Sequence, residues 1–425
     1  MKSDIAIGFL IVFALMSMAA AVFLLLDMGS FIRGEYVTVY VTHEYSNEET
    51  EFGDETIFVA EDYISQESQT VNLVVTAEER DRWLRWWIPD DLDGRIASIR
   101  GTSVAAIAVV SAELEPEVCP NTVTITLSAA GDTTLGGDSR WAGYRMFMQE
   151  FRNSGDDHSH FLRNVAHIFR DSDLAIVNLE GTLTYAEYHM DKEFVFRGPP
   201  HFAQILSSSY IDAVTIANNH TVDFFDRGYH DTLDALEAEG IAYFGNEFNT
   251  LIEVNGIMVG MFGHRVWNSA AFNQDRITAA IEYLRENGAQ LIIAYLHWGV
   301  EHSNIPEPYQ IYMGRFTIRQ GADLVLGAHP HVIQGTEVYM GRHIVYSLAN
   351  FCFGGNANPR DQDSFIFQQT FTFYDGVLQP DDDTNIIPIF VSSVRYRNDF
   401  QPTIAEGEDA VRILDRMAQY SAEIG

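Results

Sequence analysis

From Val123 onward one pattern recurs: a short apolar run rich in β-branched residues, closed by a polar residue and followed by an amphipathic stretch. The apolar runs are VTITLSAA, LAIVNL, DAVTIA, IMVGMF, LIIAYL and DLVLG, while YHDTLDALEAEG, RITAAIEYLRENG and YMGRFTIRQG read as helices that end at glycine. The apolar runs are strand-like. Their alternation with helices predicts an α/β domain on a layered sheet. Asn255-Gly256, between LIEV and IMVGMF, is a hairpin turn, and Met340-Gly341 in EVYMGRHIVYSL is a second, so some strands must be antiparallel. FIFQQTFTF and IIPIFVSSV supply later strands, and a last helix spans about Glu408 to Gln419.

The strand ends carry the chemistry. Asp132 follows LSAAG, Glu180 follows LAIVNL, Asn219 and His220 follow AVTIAN, His297 follows LIIAYL, and His329 and His331 follow DLVLGA. In α/β sheets the carboxyl ends of strands converge on one crevice, so residues distant in sequence meet there. Carboxylates, an amide oxygen and several imidazoles suit manganese, iron or zinc, because imidazole selects against calcium and magnesium. The set is too large for one ion. Two divalent transition metals about 3.5–4 Å apart, bridged by a carboxylate and activating a water, are the usual arrangement for in-line attack on phosphorus. A lone histidine is more often a structural one; recurrence at successive strand ends is what points to metal. His158, His160, His189 and His230 lack that context and read as structural or solvated.

Ahead of this domain, Ile5 to Leu26 is an apolar stretch about as long as a helix needs to cross a bilayer. Residues 1–34 are expected to form an uncleaved signal anchor. A cleaved signal competes, since Ala19 to Ala21 are small, but Val22 to Leu26 continue the apolar run. Lys2 precedes the span and Asp27, Arg33 and Glu35 follow it, which favours an inside N-terminus and a cell-membrane protein with its main domain extracytoplasmic. Residues 35–120, with YVTVYVTH and VNLVVTA, read as a small membrane-proximal β-rich module in which Trp83, Trp86 and Trp87 share one helical face; residues 121–425 form the main domain. The net charge of -34 argues against nucleic acid or an anionic membrane surface as a charge-captured partner. An anionic substrate must then be held by local cations. Cys119 and Cys352 leave at most one disulfide.

The fragments AAGDTTLGGD, NLEGTLT, FRGPP, ANNHTVDF, LHWGVEH, GADLVLGAHPHVIQG and IVYSLANFCFGG, in this order between about Val123 and Phe353, resemble the CapA family of poly-γ-glutamate capsule synthesis proteins, which share the calcineurin-like metallophosphoesterase fold. The resemblance implies a four-layer sandwich of two sheets flanked by helices, with a dinuclear site at one end. It implies that Asp132 and His331 hold one metal, that Asn219, His297 and His329 hold the other, and that Glu180 bridges them. His220 is then a general acid or transition-state donor, and Asp223, three residues on, orients its ring. The wider phosphoesterase pattern has a histidine where this chain has Thr134 and an aspartate where it has Glu180, and both departures weaken the first metal position. Asp138 is the nearest carboxylate that could compensate.

Arg197 in FRGPP is the preferred clamp for a substrate anion, because its motif lies between the second and third ligand segments and a guanidinium binds oxyanions bidentately. A surface salt bridge is the alternative, and Arg140 and Arg265 are weaker candidates. His302 in HWGVEH is either a rim residue or an ordinary exposed histidine. The expected role is synthesis, export or anchoring of poly-γ-glutamate or a similar anionic capsule polymer, alongside capsule-synthesis membrane proteins, through metal-dependent phosphoesterase-type chemistry at a phosphorylated or acyl centre. Two alternatives stay open: a general extracytoplasmic phosphoesterase, and a non-catalytic assembly factor that uses the site only to bind.

Overall fold

The computed structural model describes residues 64–65, 68–75, 106–112, 121–380 and 383–424. The proposed anchor, Trp83, Trp86, Trp87 and Cys119 lie outside them. Among the described residues no helix is long and apolar enough to cross a membrane. The chain divides into two units between Cys119 and Pro120. In the first unit, β1 (Ile64–Ser65), β2 (Ser68–Val75) and β3 (Ala106–Ala112) form a three-stranded antiparallel sheet in that order.

The second unit is built on two large sheets. One is nine-stranded and centres on β4 (Thr122–Thr134) and β5 (Leu174–Leu179). After the short pair β6 (Thr182–Leu183) and β7 (Arg197–Gly198), the same sheet continues in parallel through β8 (Ala213–Thr215) and β9 (Ala242–Phe244). The other sheet is six-stranded. It comprises β10 (Thr250–Val254), β11 (Ile257–Val266), β12 (Leu291–Trp298), β13 (Leu324–Ala328), β14 (Thr336–Tyr339) and β15 (Arg342–Val345), with β11, β12, β13 and β15 parallel. The remaining strands, β16 (Asn350–Phe353), β17 (Asp363–Tyr374), β18 (Val377–Leu378), β19 (Asp383–Phe390) and β20 (Thr403–Ile404), return to the first sheet. β17 lies antiparallel to β4 as far as Ala129, and β16 pairs in parallel with β4 at Asp132 and Thr134.

Both predicted hairpins form. Val254 pairs with Ile257 across Asn255 (φ 51°) and Gly256 (φ 81°), and Tyr339 pairs with Arg342 across Met340 (φ 53°) and Gly341 (φ 73°). Two successive left-handed residues match the right-handed twist of the flanking strands. Seven helices are described: α1 (Ala142–Asn153), α2 (Ala166–Arg170), α3 (Ala203–Ser207), α4 (Phe225–Ala238), α5 (Ala271–Glu286), α6 (Pro308–Gln320) and α7 (Gly407–Ala422).

Alternation along the strands sorts side chains into three apolar layers. Leu174 and Ile176 of β5 meet Leu291, Ile293 and Tyr295 of β12 between the sheets. Ala175, Val177 and Leu179 face outward onto Phe147 and Phe151 of α1 and Leu236 of α4. Ile292, Ala294 and Leu296 face outward onto Ile277, Ile281 and Leu284 of α5 and Met313 of α6. The order is therefore helix, sheet, sheet, helix, and each central strand is buried on both faces, which is why its sequence carries no polar stripe. α7 packs against β14 and β19, one strand from each sheet, and inserts Ile413 and Met417 into the inner layer. Cys352 is a buried free thiol whose Sγ lies 3.3 Å from the Phe400 carbonyl.

Candidate metal centre

Because β4, β5, β8, β12 and β13 end on the same side of the two sheets, the turns that follow them meet. Asp132 lies in β4, Glu180 directly follows β5, Asn219 and His220 lie in the turn after β8, His297 is the penultimate residue of β12, and His329 and His331 follow β13. The inter-sheet hydrogen bond from Tyr295 Oη to the Ala130 carbonyl (2.8 Å) ties β12 to β4 just beneath them. His331 Nδ1 lies 2.9 Å from Asp132 Oδ2 and 3.8 Å from Glu180 Oε2. The other Glu180 oxygen, Oε1, lies 3.8 Å from His297 Nε2 and 3.9 Å from His220 Nε2. His297 Nε2 is 2.7 Å from Asn219 Oδ1.

Asp132 and Glu180 are fully buried, yet neither Glu180 oxygen has a hydrogen-bond partner, and His329 Nδ1 has none either. Buried polar atoms are normally paired, and a buried unpaired carboxylate is strongly unfavourable. Ligand atoms of Glu180, His329 and His331 all lie within 4.8 Å of one another. A borderline divalent cation fits this donor set: it would satisfy the orphaned oxygens and the free ring nitrogen together. Glu180, His329 and His331 thus form a cluster able to hold a metal ion.

The electrostatics are those of donors packed without room for solvent. Burial, reinforced by Asp132, holds the Glu180 carboxyl well above its usual range. Burial and the neighbouring imidazoles hold His297 well below the usual histidine value and His329 down at about 4. Burial would lower His331 too, but the Glu180 and Asp132 carboxylates outweigh it and push its pKa up to about 10. A bound cation inverts this logic, since its charge favours carboxylate and neutral imidazole. The loop carrying the histidines is strained: His329 (φ 96°) and His331 (φ 58°) both occupy the left-handed region that favours glycine. Such conformations cost about 1–3 kcal/mol each and persist where the surroundings overdetermine them.

His220 is held differently. Its Nδ1 lies 2.6 Å from Asp223 Oδ2, its ring stacks on Phe196 at 4.0 Å, and its Nε2 faces Glu180. Burial lowers its pKa against the opposing pull of Asp223. Asp223 also accepts a hydrogen bond from the Phe196 backbone N–H (2.6 Å) and an ion pair from Lys192 (2.6 Å), whose Nζ also donates to the Asn219 carbonyl (2.9 Å).

Of the residues singled out in the sequence, Asp132, Glu180, Asn219, His220, Asp223, His297, His329 and His331 are brought together. Arg197 lines a small void together with Thr134 and Glu180, but its guanidinium donates to the Ala186 carbonyl and lies over the Phe224 ring, 5.2 Å from the centroid. Asp138 is already engaged by a bidentate Arg140 and by the Val195 N–H, which leaves it no part in the cluster. Thr134 turns its hydroxyl to the Glu180 carbonyl (2.8 Å). His302 is exposed, and its backbone N–H donates to the Pro330 carbonyl (2.8 Å), bracing the turn between His329 and His331.

Four supporting residues escaped sequence reasoning. Asn178 donates to Asp132 Oδ1 (2.8 Å), and Asn218 donates to Asn178 Oδ1 (3.1 Å) while its own Oδ1 accepts from the His220 N–H (3.0 Å). Asn350 sits beside His331 Nδ1 (3.0 Å), and Lys192 anchors Asp223. An asparagine inside the apolar run LAIVNL was the one available signal.

The family model described as "Bacterial capsule synthesis protein PGA_cap" matches residues 126–355. The chain is 28% identical over 225 residues to the PGA biosynthesis protein CapA of Bacillus subtilis (strain 168), covering 48% of this chain and 59% of that protein. It is 25% identical over 270 residues to the capsule biosynthesis protein CapA of Bacillus anthracis, covering 57% and 63%. It is also 25% identical over 210 residues to a probable polyglutamine synthesis accessory protein, MT0602, of Mycobacterium tuberculosis (strain CDC 1551 / Oshkosh), covering 42% and 55%. The matches thus span about three fifths of the length of these relatives. Since the matched segment exceeds half of the 425 residues and contains every residue of the cluster, the chain belongs to the PGA_cap family of bacterial capsule synthesis proteins.

Proposed function

We propose that this chain serves in making, exporting or anchoring an anionic surface polymer of the poly-γ-glutamate type, as a membrane-anchored protein with its main domain outside the cell. Its centre is of the calcineurin-like metallophosphoesterase kind and holds two divalent transition metals. The observation that carries this is the unpartnered, fully buried Glu180, whose two oxygens face different imidazoles: Oε1 faces His297 and Oε2 faces His331. That is the disposition required of a bridging carboxylate. When bound, the metals would supply Lewis acidity and an activated water. The chain's own residues divide the remaining work. Asp132 and His331 serve one position, Asn219, His297 and His329 the other, and Asn178 and Asn218 fix Asp132 and the turn after β8. His220, its ring set by Asp223, presents Nε2 toward the cluster, where it can hand a proton to a leaving oxygen. The capsule role draws support from the names of the CapA relatives. Metal analysis of the purified protein, followed by a screen of phosphoesters, is the test. Less than one equivalent of metal would remove the centre.

A second reading is favoured by Thr134 and Asp138. With one bonded to the Glu180 carbonyl and the other to Arg140, the first metal position has only Asp132, His331 and Glu180 as protein donors. A chain with one tightly held metal and no turnover on any phosphoester would be a non-catalytic assembly factor.

A further inference from the structure

We propose that Arg265, rather than Arg197, is the anion-binding residue of this centre, taking a phosphate or carboxylate oxyanion of the substrate beside the metal cluster; the proposal rests on the metal-centre reading above. Along β11, Val259 and Met261 belong to the inner layer and Phe262 and Val266 to the outer one. Alternation therefore places Arg265 on the inner face, at the carboxyl end of the strand. Its register partner on the parallel neighbour β12 is His297, which follows the inner-layer residues Ile293 and Tyr295 on the same face. Arg265 and His297 are thus side by side at the mouth of the site. His297 is buried, whereas Arg265 is exposed to solvent at the rim.

Among the described residues Arg265 has no carboxylate within ion-pair distance. Arg276 of α5 has none either and contacts His264 Nδ1 (3.0 Å) and the Phe272 ring. In a chain with 60 acidic and 26 basic residues, an exposed arginine with no acidic partner among the described residues is conspicuous. Trp267, two residues on and 41% exposed, stands edge-on to His329 (4.8 Å) and His297 (5.9 Å) and walls the same rim. Arg197, by contrast, is bound to Ala186 and Phe224. An oxyanion entering past Trp267 meets a guanidinium whose donors are free for bidentate contact.

The test is calorimetric titration of the full, metal-loaded chain at fixed ionic strength with inorganic phosphate and, separately, with a γ-linked glutamate oligomer, for wild type, Arg265→Lys, Arg265→Ala and Arg197→Ala, with metal content measured on each sample. Expected are equal metal content throughout and about tenfold or greater weakening in Arg265→Ala, the loss of one or more charge-assisted hydrogen bonds. Arg265→Lys should recover part of the affinity and Arg197→Ala should keep most of it. Whichever probe binds tighter identifies the source of the oxyanion. Unchanged affinity in Arg265→Ala, or no binding of either probe by wild type, overturns the assignment and leaves the metal centre standing. Loss of metal in Arg265→Ala also overturns it, since Arg265 would then act through His297. If the wild type itself takes up no metal, the metal-centre reading fails, and a tenfold effect of Arg265→Ala on metal-free phosphate binding would still uphold the clamp.

Discussion

His220 and Asn219 are neighbours in the chain but do different things in space, and single substitutions separate them. His220 contacts Asp223 through Nδ1, and its Nε2 lies 3.9 Å from Glu180 Oε1. His220→Ala should therefore keep its metal while phosphoester turnover falls about 10²- to 10⁴-fold, as for a positioned proton donor. Paired assays of metal content and rate check this, and loss of a full metal equivalent would make His220 a ligand instead. Asn219→Ala and His329→Ala should each lose metal from the position next to His297. Elemental analysis equal to wild type would end that assignment.

The elements matter through two close contacts. The glycine before Asp132 is fixed by the segment leading into β16: a Cβ on Gly131 would sit 1.9 Å from the Ala349 carbonyl oxygen, which also accepts the Asp132 N–H (2.9 Å). Gly131→Ala must separate β4 from the Ala349 segment, so a loss of about 3 kcal/mol in unfolding free energy is expected together with reduced metal content. A denaturation curve matching wild type would disprove it. On the other side, α7 is clasped to β17 by Arg412 and Arg416, which both bind Asp363, while Arg416 also binds Asp361 (2.6 Å). Burial opposes ionisation of Asp363, but the two guanidiniums outweigh it and hold its carboxyl below the usual range. A depressed folded-state value means the contribution is fully present above about pH 4, the unfolded value, and is lost as pH falls through the folded one. Asp363→Asn should thus lower stability at pH 7 by about 1–3 kcal/mol. The gap from wild type should close in acid, and a gap constant from pH 7 to pH 3 would contradict the clasp.

At the scale of the whole molecule, the expected anchor is the one long apolar stretch of the chain. Removing residues 1–34 should release the protein from membranes with its metal content intact, because every residue of the cluster lies between Asp132 and His331, in the unit that begins at Pro120. Fractionation of both forms measures this. A full-length chain found wholly in the medium with a new N-terminus near Val22 would establish a cleaved signal instead.

The strands, the hairpins and the ligand-type residues at the strand ends are legible in the linear sequence. Apolar runs, turns closed by a glycine and polar residues at fixed offsets are local properties, and local properties are written in contiguous residues. What is not legible there is α1, whose buried Phe147 stacks on Phe161 and whose Phe151 meets Phe202 edge-on, both partners lying in other segments. Which polar side chains surround the cluster depends on how distant segments pack. Asn178 and Asn350 are ordinary amides until β4, β5 and β16 lie side by side; the Arg197 guanidinium meets the Ala186 carbonyl and the Phe224 ring only in the fold; and strand register alone sets Arg265 next to His297. These assignments depend on pairing between segments tens to hundreds of residues apart, and hydrogen-bond partnership at that separation has no signature in a linear pattern.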